Sequence, residues 1–184
     1  MKFKMSSFFI GLSLIAVFVV SLIFPPQDAY ASITEKDLQV AARTFNFIDG
    51  IHNGPVVISV IYDKKSPESV SEAKTIEKIL TGGLQAGKHL LLPKLTEISE
   101  LDKIKTKVAF ISSDLQKYHD QIYDITSKKQ IFTVTKDFTC LQAQRCIMAV
   151  ETLPSVKIEI SSAAATGSRL AFGKALTMMI KMKK

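Results

Sequence analysis

The chain has 184 residues, of which 47% are hydrophobic and 22% charged, and it carries a net charge of +7. That length suits one domain and is too short for two comfortable cores. The aromatic residues are not interleaved with the bases, which argues against nucleic-acid binding despite the positive sign.

In chain order, Lys2 and Lys4 precede an apolar stretch from Phe8 to Phe24, Pro25-Pro26 break any helix, and Ala29-Tyr30-Ala31 supplies a small-x-small pattern. This is the layout of a secretory signal peptide cleaved between Ala31 and Ser32. The alternative is an uncleaved anchor, near the lower limit of the about 17 to 25 residues that span a bilayer. Removing the leader takes away Lys2, Lys4 and Asp28, leaving 22 basic and 16 acidic residues, a net charge of +6. Such a surplus can favour an anionic membrane face or an acidic partner. The lysines are scattered among acids, and the one dense run, Lys181 to Lys184, reads as a solvated tail.

The mature part opens with a predicted helix over 34–49, with Leu38, Ala41, Ala42, Phe45 and Ile48 at helical spacing and Thr34 three residues before Asp37. Val56 to Tyr62 is a β-branched run of the kind buried in a sheet centre. Ser66-Pro67-Glu68 starts a second helix, with Val70, Ala73, Ile76, Ile79 and Leu80 on one face, and Gly82-Gly83 closes it. His89 to Leu92 reads as a short strand and Glu97 to Lys103 as a turn or short helix. Val108 to Ser112 is a strand, Gln116 to Lys128 a helix with Tyr118, Ile122 and Ile125 inward, and Ile131 to Thr135 a strand. Strand–helix–strand alternation predicts a mostly parallel sheet. Ile147 to Thr152 and Val156 to Ser161, joined by Leu153-Pro154-Ser155, predict an antiparallel hairpin, the second run half exposed. The tail from Ala163 to Met182 buries Leu170, Phe172, Leu176, Met179 and Ile180. The expected fold is a three-layer α/β/α sandwich with a mostly parallel sheet, a C-terminal antiparallel hairpin and a closing helix.

Catalytic signatures are not found. Gly82, Gly87 and Lys88 fit the spacing of a phosphate-binding loop, but His89 replaces the hydroxyl residue and the segment leads into a strand instead of a helix. His52, His89 and His119 stand apart from one another and read as polar or loop residues; no metal or cofactor is implied. There is no G-x-S-x-G elbow, and Cys140 and Cys146 are too far apart for a C-x-x-C redox centre. In an oxidising compartment the two cysteines are expected to pair, with two free thiols as the alternative. A bridge over so short a loop contributes about 2 kcal/mol on the chain-entropy model. Phe47 falls off the apolar stripe of the first helix and is a candidate partner-binding residue.

These parts resemble the YfiR family of periplasmic proteins, the YfiR/HmsC-like group. The likeness covers most of the mature chain and is clearest in its second half. It rests on Ala42 to Ile48, similar to the family's aromatic "nFa-f" segment, and on Pro55 to Val60, Gly87-Lys88-His89 and Val108 to Ser113. Ile131 to Asp137 is similar to "iLTVsD", followed by Val156 to Ile160, and the ending with Ala163-Ala164-Ala165 and Arg169 to Phe172 is similar to "aA-a-gl-issqLL". The resemblance implies a periplasmic regulator, not an enzyme, that binds the periplasmic sensor region of an inner-membrane signalling protein such as a diguanylate cyclase or a histidine kinase. In the family's best-understood members disulfides affect that control. Here there is one cysteine pair where the namesake has two, and a second copy of the chain is a further candidate partner. The alternative reading is a small-ligand carrier or sensor. Ligands of open α/β sheets bind outside the carboxyl ends of the strands, where this chain would place Asp63, Ser113, Asp114 and Asp137.

These readings meet in one mass measurement. Exported protein, alkylated without reduction, is expected to begin at Ser32 and to carry no alkyl group on Cys140 or Cys146. An intact Met1, or two labelled thiols, overturns the corresponding expectation.

Overall fold

The run from Gly54 to Tyr62 has one interior polar side chain, Ser59, so it needs cover on both faces. In the computed structural model, which describes residues 33–173, Leu176 and the backbone of 181–183, this run is strand β1 of an eight-stranded sheet. The leader and its cleavage positions Ala29, Ala31 and Ser32 lie outside the described residues, as do Met179 and Ile180.

The elements that follow the opening helix α1 (Glu35–Thr44) and β1 are α2 (Pro67–Leu80), β2 (Leu84–Ala86), β3 (His89–Glu97) and β4 (Val108–Ile111). Next come α3 (His119–Lys128), β5 (Phe132–Thr135), α4 (Phe138–Gln142), β6 (Met148–Glu151), β7 (Lys157–Ser161), α5 (Ser162–Gly167) and β8 (Lys181–Lys183). The sheet order is β2-β3-β1-β4-β5-β6-β7-β8. Strands β3, β1, β4, β5 and β6 are parallel, β6 and β7 form the expected antiparallel hairpin, and α5 closes it. β1 lies opposite β3 from Gly54↔His89 to Tyr62↔Glu97 and opposite β4 from Ile58↔Val108 to Ile61↔Ile111.

Alternation along the strands divides the core in two. Ile58, Val60, Phe110, Phe132 and Val134 face α1, α2 and α5 on one side. Ile61, Ala109 and Ile111 face Leu101, Leu115, Ile122 and the two cysteines on the other. This is the three-layer sandwich. Phe132 lies between Phe45 and Phe172, meeting each ring edge-on at 6.0 and 6.2 Å, an arrangement favoured by the aromatic quadrupole.

Local chemistry explains the helix starts. The Asp37 N–H donates to the Thr34 hydroxyl at 3.2 Å and the Thr34 N–H donates to the Asp37 carboxylate at 2.8 Å, a reciprocal cap typically worth about 1 kcal/mol. Ser66 caps α2 by accepting from the Ser69 N–H at 3.1 Å, with Pro67 at the first helical position. Cys140, within α4, and Cys146, after it, form a disulfide with Cα atoms 5.4 Å apart.

Several expectations need correction. The first helix stops at Thr44 and tightens into a 3-10 turn over Phe45–Phe47. The buried face of α2 carries Ser69 and Glu72, whereas Val70 and Ile79 are half buried. Strand β3 continues through Pro93 to Glu97, because β2 pairs only as far as Leu91 and leaves Pro93 on an open edge where its missing N–H costs no ladder bond. Helix α4 replaces the expected loop around the cysteines. Glu159 faces inward on β7. Phe172 is not on a helix; it bridges to Ile48 and is half buried. His89 is fully buried against Phe45, its ring nitrogens without hydrogen-bond partners among the described residues.

Phe132→Ala removes the ring that joins α1 to the tail and is expected to cost about 3–5 kcal/mol. Denaturant unfolding monitored by circular dichroism measures the loss; a cost below about 1 kcal/mol contradicts this placement.

Candidate binding surfaces

Two places in the fold are candidates: the rim at the carboxyl ends of the parallel strands, and a groove between α1 and β7. The rim does gather Asp63, Ser113, Asp114 and Asp137, since each lies in the turn that leaves β1, β4 or β5. Each is engaged with a neighbour. Asp63 accepts from the Lys65 N–H at 2.9 Å and pairs with Lys117 at 3.2 Å. Asp114, held at φ +58°, accepts from the Ser66 hydroxyl at 2.5 Å. Ser113 donates its N–H and its hydroxyl to one oxygen of Glu72, at 2.5 and 2.8 Å. Asp137 caps α4 by accepting from the Thr139 N–H at 2.8 Å, and its other oxygen meets Gln116 at 3.2 Å and His119 at 3.5 Å. Ser69 and Ser112 share a hydrogen bond of 2.6 Å beneath them.

The rim extends to groups that sequence reasoning missed. Asp37 is 1% exposed and lies 3.5 Å from the Lys136 ammonium. Glu72, 8% exposed, lies within electrostatic reach of both. Burial pushes the Asp37 carboxyl up, but contacts from Thr152 and Thr34 and the charge on Lys136 outweigh it and hold the group below its ordinary value. The Lys65 N–H likewise holds Asp63 low. Burial pushes Glu72 up, beyond what the Ser113 donors recover. Burial lowers His119 against the opposing charges of Asp137 and Asp120.

The groove is different in kind. It encloses about 690 Å³ between the outer face of α1 and β7. Val40, Phe47, Val156, Ile158 and Leu176 give it apolar walls, with Lys36 and Arg43 at its border. Val156 is 55% exposed, and Leu153 beside it in the hairpin is 56% exposed. Phe47 is half buried in the groove wall, and its carbonyl accepts from the Gly173 N–H at 2.9 Å. Glu35 is occupied by Gln39, which donates to it at 2.7 Å. Lys36 and Arg43 have no ion-pair partner among the described residues, so the free charge beside the groove is positive. The spacing of Val40 and Phe47, two helical turns apart, was the available signal; the β7 wall comes from chain-distant residues and had none.

Among the described residues no three His, Cys, Asp or Glu side chains are placed to hold a metal ion, and no helix is long and apolar enough to cross a membrane.

No family profile matches the chain, and no curated protein matches its sequence. Its fold does recur in solved structures. It is similar to a conserved domain protein from Vibrio cholerae, with a TM-score of 0.59 and 10% identity over 83% of this chain and 60% of that one. It is also similar to an ABC domain from Streptococcus pneumoniae in complex with L-Trp, with a TM-score of 0.57 and 7% identity over 80% of this chain and 59% of that one. A third is the ligand-free, open form of a substrate binding protein with adhesive properties from Clostridium difficile, with a TM-score of 0.57 and 10% identity over 83% and 60%. The chain thus spans about 60% of the length of these neighbours. At such identities the likeness establishes the α/β fold.

The rim makes a pH prediction. Asp37 and Asp63, with lowered values, contribute stability that is lost as pH falls through the carboxylate range, and His119 adds a loss as pH falls below 6.5. Glu72 has the opposite sign: its folded value lies above 4.5, so its contribution is lost as pH rises from 4.5 through the folded value. Glu72→Gln keeps an acceptor for Ser113 without the buried charge. Its Tm is expected to exceed that of the parent in mildly alkaline buffer and to converge with it in acid. Scanning calorimetry across pH checks this, and a deficit that persists at alkaline pH refutes it.

Proposed function

We propose that the protein is an extracytoplasmic regulatory binding protein that docks, through the α1–β7 groove, on the periplasmic region of a membrane-bound signalling protein such as a diguanylate cyclase or histidine kinase. It works by occupancy, without bond-making chemistry of its own. The observation that carries this reading is the groove itself: an apolar concavity beside Lys36 and Arg43, which lack an ion-pair partner among the described residues, suits an apolar segment with an acidic border. The leader-like N-terminus supports the compartment, and the YfiR-like pattern supports the kind of partner. Two of the fold neighbours bear on binding more generally, one being a substrate binding protein and the other a domain in complex with L-Trp.

That last fact also favours a second reading, a small-ligand carrier using the rim. It is the weaker of the two, because Asp63, Ser113, Asp114 and Asp137 are each already engaged with neighbouring groups.

A photo-crosslinking amino acid at position 47 of the exported protein is expected to trap one membrane protein with a periplasmic sensor region, and Phe47→Asp to alter signalling as deletion of the whole chain does. No crosslink at position 47, together with unchanged signalling in the deletion strain, removes the docking reading. Thermal shift against an L-amino-acid panel addresses the carrier reading, in which bound ligand raises Tm.

A further inference from the structure

The bases that look scattered in sequence collect at one end of the sheet. At the amino ends of the parallel strands, a concavity of about 250 Å³ is lined by Lys105, Lys107 and Lys129 with Thr106 and the edges of Ile104 and Ile131. A second, of about 280 Å³, shares Lys107 and adds Arg169, with Asp49 as its one acid. Lys88 at the start of β3 and Lys128 at the end of α3 are exposed at the same end. The backbone of β8 runs toward it too, with Lys183 opposite Ser161 at the amino side of the hairpin.

These charges are not consumed by structure. Lys105, Lys107 and Arg169 have no ion-pair partner among the described residues, and none belongs to the last turn of a long helix, where a base would merely complement the helix dipole. Lys129 alone is occupied, donating to the carbonyls of Asp102 and Ile104 at 2.5 and 3.1 Å. The local acids are Asp49 and Asp102, with Glu77 and Asp124 toward the ends of α2 and α3; Glu100 is taken by Lys103 at 3.0 Å. The opposite end holds Asp37, Asp63, Asp114 and Asp137, with Lys136 and Lys117 paired to the first two. Of the two ends, the amino end therefore carries the larger share of bases without an ion-pair partner among the described residues.

We propose that this amino-end face docks on an anionic phospholipid surface. Its breadth, across the starts of β3, β4 and β5 and the exit of α5, suits a layer of headgroups better than a single bound anion. The half-exposed Ile51 and Leu170 in the second concavity suit the apolar fringe of an interface. The inference rests on export but is independent of the groove: it would keep the protein at the membrane where a partner resides, with the groove as a separate surface.

The test is flotation of the purified exported protein with vesicles, which involves no partner, so its failure leaves the groove reading standing. Vesicles of one part phosphatidylglycerol to three parts phosphatidylcholine are compared with pure phosphatidylcholine, each at low and high salt. Binding is expected only with the anionic vesicles and only at low salt. Lys105→Glu, Lys107→Glu and Arg169→Glu together are expected to lower the partition coefficient by at least about tenfold. A control reversing Lys65, Lys74 and Lys94, all exposed away from this end, has the same net charge and is expected to bind as the parent does. The salt comparison on the parent protein needs no variant, so a misfolded variant does not rescue the idea. No binding to anionic vesicles, equal binding to pure phosphatidylcholine, or an equal loss in the control each overturns the proposal.

Discussion

Strand β1 is bonded along both edges and covered on both faces, and the rest of the domain is arranged around that double burial. Its nine-position register with β3 and four-position register with β4 fix the two strands that flank it. The chain therefore leaves β1 on one side through α2 and returns past it to build β4, β5 and β6 on the other. That reversal places the ends of β1 and β4 side by side and brings Ser66, Ser69 and Glu72 of the α2 region against Ser112, Ser113 and Asp114. In this fold class the same crevice often admits a ligand. Here reciprocal hydrogen bonds fill it, which moves attention to surfaces that remain unsatisfied.

How much of this was legible in the sequence depended on the length of each element. The long amphipathic helices announced themselves through spacing, and Thr34 with Asp37 announced a cap that the structure contains in both directions. Helix α4 has five residues and β2 three, too few for any period to register. Their remaining signals were single residues: Asp137 as a cap, and Gly87-Lys88 as a tight turn at which Gly87 takes φ +63°. Buried acids were invisible for a different reason. Glu72 and Glu159 sit where polarity predicts solvent, and only chain-distant cover turns them inward. His89 is a similar case, a polar ring packed against Phe45.

The candidate surfaces were legible to unequal degrees. The strand-end residues lie where topology alone dictates that strands stop, but beyond the local Lys65 and Thr139 contacts their partners are distant in sequence, as with Ser66 and Asp114, and are not legible there. Phe47 stood out as an aromatic off the stripe, yet its meaning depends on Val156 and Ile158 across the groove. The basic face is least visible, because Lys88, Lys105, Lys107, Lys129 and Arg169 come from four loops that only the finished sheet brings to one end.

Pro93 gives the outer border of β3 a role beyond tolerance. Past Leu91 no strand among the described residues pairs with this edge, and an unpaired edge is an invitation for a foreign strand to add itself. An imino acid there withholds one donor, and the neighbouring Lys94 ammonium would have to be desolvated by any newcomer. The domain is thereby guarded on this flank against growing into stacked sheets, and self-association is steered toward faces where side chains can discriminate among visitors.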